Sequence, residues 1–583
     1  MTEMLNHRRA ELLRRLRGHL FRLYPSQGDA CMRRLEMLVG RYGVGAEQIG
    51  RPYQWDQHDS VLITYGNTIQ EPDRPPLKTL REFLNLRLQN VVNTVHILPF
   101  FPYSSDAGFS ITDYREVNPD LGGWEDVSAI GRNFRLMVDL VLNHVSRESD
   151  WFTDYVNGLI PRCRYFIEAC PESDLSDVVR PRSSPLLTPV RTRDGDKHVW
   201  TTFSPDQVDL DFTNPDVLFE FLDILFYYIS KGACVIRLDA IAYLWKKMGT
   251  SCIHLSETHE VVKLFRTLVE LVAPHVVLIT ETNVPHEENI SYFGQADEAH
   301  MVYQFSLPPL LLHGLHRGTA AHLREWAAGL GEVPSGCTFL NFTASHDGIG
   351  LRPIEGLVPP EEVDQLVDAA RERGGLITTR KLADGTDKPY ELNITYYDAL
   401  RFLDADKEHL NVPRFLCSQA VALALKGIPA IYIHSLFATR NDHEAAEETG
   451  VARSINRSTL DFDDLERRLD DETMSAGRVF QKYHHLLDVR RRQPAFHPDG
   501  AQRVPDVGDD VFALERTEPG GGQRVLALNN FSDEAAKIDL SADVVSADTP
   551  PYNDLIAGDN RGEGGSLELA PYETVWLDLG SPR

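Results

Sequence analysis

Ala233-Cys234-Val235-Ile236-Arg237-Leu238-Asp239 is a short, mostly apolar run that closes on an acid two residues after an arginine. Residues two apart on a strand face the same way, so the Arg237 guanidinium should lie beside the Asp239 carboxylate. Comparable runs flank it: Val61–Tyr65, Val91–Leu98, Phe134–Val141, Val276–Ile279, Ala299–Phe305, Cys337–Phe342 and Ile428–Ile433, with helical stretches between them. Most are apolar throughout rather than alternating, as strands buried on both faces are. Eight alternating β and α units predict an α/β chain built on a (β/α)8 TIM barrel.

Working outward, the barrel is assigned to 58–147, 212–347 and 413–493. The interval between Val141 and Ala233 exceeds one loop and one helix, so a small Pro- and Arg-containing domain is placed at 148–211. A second insert, 348–412, is charged and expected to be mostly helical, with Gly374-Gly375 as its flexibility signal. Residues 1–57 form an N-terminal helical extension, with helical periodicity over about 5–48. Leu12, Leu13, Leu16, Leu20 and Leu23 share one face, Met32, Leu35, Leu38 and Val39 form a second run, and Pro25–Gly28 parts the two. Packing outside the barrel is its plainest reading; a dimerisation element or a wall of the active site are the alternatives. Beyond Pro494, short alternating strands and Gly520–Gly522 predict a C-terminal antiparallel β domain over 494–583.

Composition excludes several classes. Lys and Arg number 59 against 86 Asp and Glu, a net charge of −27 that argues against nucleic acid or an anionic membrane as partner. With 42% apolar residues and a mean hydropathy of −0.29, the chain can bury a large core. Seven scattered cysteines without a C-x-x-C pair are expected as reduced core thiols. The start, Met-Thr-Glu-Met into Arg8-Arg9, has no apolar signal core, and no stretch approaches roughly 18 uncharged apolar residues. A cytoplasmic location is the expectation.

The chemistry gathers where strands end. Asp239, Glu281 in Ile279-Thr280-Glu281-Thr282, and Asp347 in Ala344-Ser345-His346-Asp347 each follow an apolar run. Barrels of this kind keep their reactive groups on that C-terminal rim. A nucleophile, a proton donor and a third carboxylate opposing positive charge make up the set a retaining glycosidic reaction needs. Arg237 should depress the pKa of Asp239 and aim it, which suits a nucleophile. Desolvation and nearby negative charge should raise Glu281, leaving a proton to give. Asp106, His144 and His346 add hydrogen-bonding capacity. For Asp139, in Asp139-Leu140-Val141-Leu142-Asn143-His144, an ion-pair role in closing the barrel end competes evenly with function. No H-E-x-x-H or close histidine pair marks a metal site.

These segments resemble those of the α-amylase superfamily of glycoside hydrolases, over nearly the whole chain after residue 58. His96–Pro102, Ser105–Ser110, Arg180-Pro181-Arg182, Thr202–Asp209 and Ile455-Asn456-Arg457 are similar to the sucrose phosphorylase subfamily. Lys246–Leu255, Thr282–His286, Glu298–Pro309 and Ile431–Ser435 look most like its glucosylglycerate phosphorylase branch. The resemblance implies Asp239 as nucleophile, Glu281 as acid/base and Asp347 as stabiliser. It implies that Asp106, His144, Arg237, His346 and Arg457 hold a glucosyl unit, that Phe109 faces its ring, and that Gln207 lies nearby. Arg182 and Arg180 are placed with phosphate. Arg440, just past the last strand, is matched to an anionic acceptor such as glycerate, with a solvated surface arginine as its alternative. His434 is grouped with the acceptor residues. In related amylases an Asn at the position of Asn143 often helps hold calcium, but the inserted domain offers no evident oxygen cage. No metal and no cofactor are expected.

The implied reaction turns 2-O-α-D-glucosyl-D-glycerate and phosphate into α-D-glucose 1-phosphate and D-glycerate, through a covalent glucosyl-aspartate. Its rivals are sucrose, glucosylglycerol or sucrose 6-phosphate as donor, then a plain α-glucosidase or amylase, against which Arg180 and Arg182 argue. A catalytically dead carbohydrate-binding or transporter-partner protein is the non-enzyme reading, opposed by the intact trio of carboxylates. The expected partners are small molecules, with a homodimer left open.

Overall fold

A computed structural model describes residues 2–42, 52–381, 386–540 and 551–581. Its centre is a closed parallel barrel in which neighbours follow chain order: β1 (Val61–Thr64), β2 (Thr94–Ile97), β3 (Arg135–Val141), β4 (Ala233–Asp239), β5 (Val277–Thr280), β6 (Met301–Tyr303), β7 (Thr338–Phe342) and β8 (Ile428–Tyr432). All eight predicted runs are barrel strands. Register sets the later chemistry: Asp139 and Val141 on β3 pair with Arg237 and Asp239 on β4, while Thr280 on β5 pairs with Leu238. Asp139 and Arg237 therefore stand level on adjacent strands, and Glu281 emerges beside Asp239.

The N-terminal segment is two helices, α1 (Thr2–Leu23) and α2 (Gly28–Tyr42), laid against barrel helices α3 (Pro215–Ser230) and α4 (Ser256–Val272). The predicted helical residues beyond 42 lie outside the described part. Leu12, Leu16, Leu20 and Leu23 are buried, as the periodicity requires. Polar contacts fix the seam: His19 Nδ1 meets Glu260 at 2.5 Å, Arg22 donates to Glu260 at 2.6 Å, and Arg34 to Asp216 at 2.5 Å. Gly28 is needed at the turn because a Cβ there would stand 2.7 Å from the Phe21 ring.

Between β3 and α3 the chain pairs His144–Ser146 with Gln207–Asp209 and folds a hairpin of Leu187–Thr192 on Gly195–Trp200. Its short helix Asp150–Val156 is capped by Ser149, whose side chain accepts from Phe152 N. The segment between β7 and β8 has more helix than strand, yet it is not helical throughout. It holds helix Pro360–Glu372, but also an antiparallel sheet of Ile349–Gly350, Asp387–Asn393 and Leu376–Lys381. The helix ends at Gly374, where φ is +80°, and β-branched Ile377, Thr378 and Thr379 favour the strand that follows. Charge density masked that alternation in the sequence.

At the C-terminus, a six-stranded antiparallel sheet runs in the order Ala501–Arg503, Val511–Thr517, Arg524–Asn530, Thr574–Gly580, Tyr552–Asp554, Asn560–Arg561. Buried Arg516 ties it to the barrel by donating to Ala424 O. The seven cysteines are free thiols; Cys31, Cys252, Cys337 and Cys417 are buried, whereas Cys170 is exposed beside Glu172 and is no core residue. Among the described residues, no helix is long and apolar enough to cross a membrane.

The extension's packing leads to a direct test. Leu20 is fully enclosed and Leu13 only partly so. Leu20→Ala should destabilise by about 2–5 kcal/mol, and Leu13→Ala by clearly less. Equal shifts in thermal midpoint for the two variants would contradict the seam described here.

Candidate active site

The acidic ends of β4, β5 and β7 converge on one cleft. Its lining includes Asp106, Phe109, His144, Arg182, Gln207, Arg237, Asp239, Glu281, His346 and Asp347. Ten of the sequence-derived candidates thus meet in one place. Arg457 stands just behind, its Nε donating to His346 O at 2.8 Å and its Nη2 3.8 Å from Asp347 Oδ1.

Arg237 organises the floor. Its Nη1 donates to Asp139 Oδ1 at 2.5 Å and to Asp239 Oδ1 at 2.6 Å, and its Nη2 stands 4.0 Å from Glu281 Oε1. Asp139 also meets His96 Nε2 at 2.7 Å and does not line the cleft, so its role is the ion pair. Burial opposes its charge, but His96 and Arg237 win and bring its pKa to about 2.

Asp239 departs from the sequence expectation. Burial, with Glu281, Asp139 and Asp347 adding to it, outweighs Arg237 and raises its proton affinity well above the ordinary carboxylate range. Glu281 is raised too, first by burial and then by Asp347. The two neighbours therefore hold on to a proton as a pair. Of the two, Asp239 has the closer Arg237 contact, at 2.6 Å against 4.0 Å for Glu281. Ala240 takes a left-handed φ of +50° and turns its N–H to Glu281 Oε2 at 3.2 Å. A non-glycine residue there carries a backbone cost, and this one fixes the acid.

Asp347 has the opposite setting. Burial alone would raise it, but Arg453 at 2.5 Å, with His346 and Arg457, holds its carboxyl well below the usual range. Arg453 is in turn gripped by buried Glu391 at 2.8 and 3.1 Å. His346 stacks on Phe109 with centroids 4.9 Å apart, and burial keeps its ring neutral. Opposite, His144 Nε2 faces Phe109 O at 3.1 Å, and Gln207 Nε2 lies 3.2 Å from both His144 and Asp106. Several buried polar atoms here lack a hydrogen-bond partner among the described residues, including His346 Nδ1, Arg457 Nη2 and Asn283 Oδ1. Such orphans at a cleft are what a polyhydroxylated ligand would satisfy.

The remaining candidates separate. Arg182 lines the cleft, its guanidinium 6.0 Å from the Tyr390 ring centroid. Arg180 instead folds back to donate to Ser184 O and is not in the lining. Arg440 is half exposed and paired with Asp398, so its charge is already answered away from the cleft. His434 is buried against Thr439 in a separate small cavity with Tyr396, Tyr397 and Tyr432. Neither reaches an acceptor position. Sequence reasoning missed Tyr243, Asn283, Tyr390 and Arg453, which also line the cleft. Asn283 lies two residues past Glu281 and could have been found. Tyr390 and Arg453 arrive from the second insert and a turn beyond β8, without a strand-end signal.

The calcium-type position is filled by the chain itself. Lys246 Nζ stands 2.5 Å from both Asn143 Oδ1 and Asp209 Oδ2. Asp209 further accepts from Thr202 N and Thr202 Oγ1. A divalent cation would have to displace this ammonium, so these residues do not fit one, and no step runs through a metal.

Two predictions follow from this geometry. Raised Glu281 must be protonated to act, so activity should fall as pH climbs through its raised pKa. The basic limb of kcat/KM should then lie above the ordinary glutamate range, and Glu281→Gln should abolish that limb. A limb that persists in Glu281→Gln would assign it to another group. Lys246→Met would leave buried Asp209 without a cation, a loss of about 3–5 kcal/mol. It should depress the thermal midpoint, whereas EDTA should not move that of the unaltered protein.

Comparison with known proteins bears on the family and the fold. Residues 88–325 match the α-amylase catalytic domain. The chain is 47% identical over 570 residues to a glucosylglycerate phosphorylase of Allomeiothermus silvanus, covering 97% of this chain and 99% of that one. It is 46% identical to a glucosylglycerate phosphorylase of Spirochaeta thermophila, covering 90% of each. The crystal structure of sucrose 6F-phosphate phosphorylase from Thermoanaerobacter thermosaccharolyticum superposes with a TM-score of 0.71 at 25% identity, over 83% of this chain and 96% of that one. With its barrel, its trio of rim carboxylates and these relatives, the chain belongs to the sucrose phosphorylase subfamily of the α-amylase superfamily, in company with glucosylglycerate phosphorylases.

Proposed function

We propose that this protein is a retaining glucosylglycerate phosphorylase. It takes 2-O-α-D-glucosyl-D-glycerate and phosphate to α-D-glucose 1-phosphate and D-glycerate. The observation that carries the reading is the opposed setting of the carboxylates: burial raises the proton affinity of Glu281, while Arg453 favours the ionised form of Asp347. Similarity to relatives of that name over nearly the full chain supports the donor.

In the first half-reaction an Asp239 oxygen bonds to the anomeric carbon as the bond to the glycerate oxygen breaks, and the Glu281 proton passes to that departing oxygen. Asp347, ionised, opposes the positive charge that develops on the sugar ring. In the second, a phosphate oxygen attacks the same carbon, the Asp239 ester bond breaks, and the phosphate proton returns to Glu281. Two inversions preserve the α configuration. Asp106, His144, Arg237, His346 and Arg457 hold the glucosyl hydroxyls, Phe109 faces the ring, and Gln207 braces His144 and Asp106. Arg182 meets the phosphate. No cofactor takes part, and the reaction is placed in the cytoplasm.

Phosphorolysis assays should yield glucose 1-phosphate from glucosylglycerate far faster than from sucrose or glucosylglycerol, with the α-anomer appearing first by proton NMR. Asp239→Asn should leave less than about a tenth of this activity, since an amide cannot attack the anomeric carbon. Faster turnover of sucrose would move the enzyme to another branch. A β-anomer as first product would overturn the double displacement.

A further inference from the structure

We propose that His313, His322 and Glu362 form a binding site for a zinc-class divalent ion, apart from the catalytic cleft, that clamps the second insert to the barrel. None of the three lines the cleft. His313 lies in barrel helix Leu307–Arg317, His322 in helix Ala321–Ala328, and Glu362 in the first turn of helix Pro360–Glu372. Gly318, at φ +66°, turns the chain between the first two helices, and the two imidazole centroids stand 5.2 Å apart. The histidines are distant in sequence, so no motif announces them.

Both rings present Nε2 to one carboxylate oxygen. Glu362 Oε2 stands 2.7 Å from His313 Nε2 and 3.7 Å from His322 Nε2, and the three residues offer ligand atoms that all lie within 4.8 Å of one another. The His313 contact is a hydrogen bond. The His322 contact is too long to be one, and that ring makes none among the described residues. An ion pair would need His313 alone and leaves the second imidazole unaccounted for. Tetrahedral zinc, with bonds of about 2.0–2.2 Å to nitrogen and carboxylate oxygen, spaces its ligand atoms roughly 3.4 Å apart. The observed separations bracket that value, so small side-chain rotations centre an ion.

Two imidazoles and a carboxylate suit Zn2+ and its transition-metal neighbours, whereas Ca2+ and Mg2+ require sets of oxygens. His313 is enclosed, while His322 and Glu362 are partly exposed, which leaves a solvent side for entry and for a water as fourth ligand. Arg317 lies 3.4 Å from the other carboxylate oxygen, Oε1, and donates to Gln365, so it leaves Oε2 to the ion. Its positive charge also weakens the hold on a cation. The site therefore fills with added Zn2+, and protein kept in metal-free buffer has nothing there for EDTA to remove. Helix Pro360–Glu372 packs on helix Leu307–Arg317 and on strands Leu376–Lys381 and Asp387–Asn393. The last of these carries Tyr390 into the cleft and Glu391 to Arg453. An ion shared by the three side chains ties that insert to the barrel from outside.

The test is titration of the full-length, metal-free protein with ZnCl2, followed by calorimetry, thermal midpoint and hydrogen exchange. One equivalent should bind and raise the midpoint, with no rise from Ca2+ or Mg2+. His322→Ala, at a partly exposed position, and Glu362→Gln should each weaken binding by more than about tenfold and abolish the rise. Co2+ should give the strong visible bands of a four-coordinate ion in the unaltered protein and not in His322→Ala. Exchange over residues 360–372 should slow on addition of zinc. Without zinc, His322→Ala should keep the midpoint and kcat/KM of the unaltered enzyme. Equal zinc binding by the unaltered protein and both variants would overturn the site, as would a midpoint indifferent to zinc, leaving His313 and Glu362 as an ion pair. Zinc binding that leaves exchange over 360–372 unchanged would overturn the clamp.

Discussion

A single buried guanidinium, Arg237, is the constraint around which the barrel floor and the cleft are arranged. It is almost fully enclosed and touches Asp139 on the neighbouring strand and Asp239 on its own. A charge so placed is tolerated only when its partners sit at hydrogen-bonding distance, because desolvation otherwise exceeds the attraction. The β3–β4 register supplies that geometry by setting Asp139 level with Arg237. One extra residue in either strand would turn a partner to the opposite face and strand the cation. Barrel register and the direction of the Asp239 carboxylate are therefore one structural fact.

Around this pivot, the cleft separates carboxylates of the same chemistry into different states. Asp139 and Asp347 are outnumbered by cations and stay charged. Asp239 and Glu281 lie deeper in negative surroundings and retain a proton between them. Pairs of acids pushed apart by environment are the usual basis for dividing nucleophile, acid and stabiliser roles. The expectation that Arg237 would depress Asp239 failed for a definable reason. A pairwise argument from sequence sees the adjacent arginine, but not the burial and the other carboxylates that the fold brings to the same point. Ionisation of Asp239 requires that Arg237 prevail once substrate redistributes those charges, for example when sugar hydroxyls engage Asp347.

What the sequence made legible follows the range of each interaction. All eight barrel strands could be read because a strand buried on both faces is a local apolar run. The carboxylates could be read because the C-terminal rim is fixed by strand direction. Arg440 and His434 were misplaced because proximity to β8 along the chain says nothing about which way the following turn carries a side chain. Asp398, 42 positions earlier, captures Arg440, and no local pattern announces it. Tyr390, Glu391 and Arg453 were invisible for the same reason: the insert that carries Tyr390 and Glu391 was read as helix, and Arg453, from beyond β8, meets Asp347 and Glu391 across distant segments. Lys246 was in view as part of a motif, yet its position between Asn143 and Asp209 needed the folded loop after Asp239.

The chain's formal charge of −27 makes anion handling a local problem. Screening confines the surrounding field to about 8–10 Å at physiological salt, so a few well-placed cations can dominate inside the cleft. Most of the arginines there are spent on the chain's own acids, which keeps those acids poised but leaves nothing for a ligand. Because Glu391 occupies Arg453, that residue tunes Asp347 without becoming a second anion trap. A glucosyl-enzyme exposed to water is hydrolysed unless the incoming nucleophile is held against the anomeric carbon. Arg182 lines the cleft with no carboxylate partner among the described residues, so its charge is left for a ligand. The distribution of ion pairs, as much as the identity of the catalytic carboxylates, separates a phosphorylase from a hydrolase on this barrel.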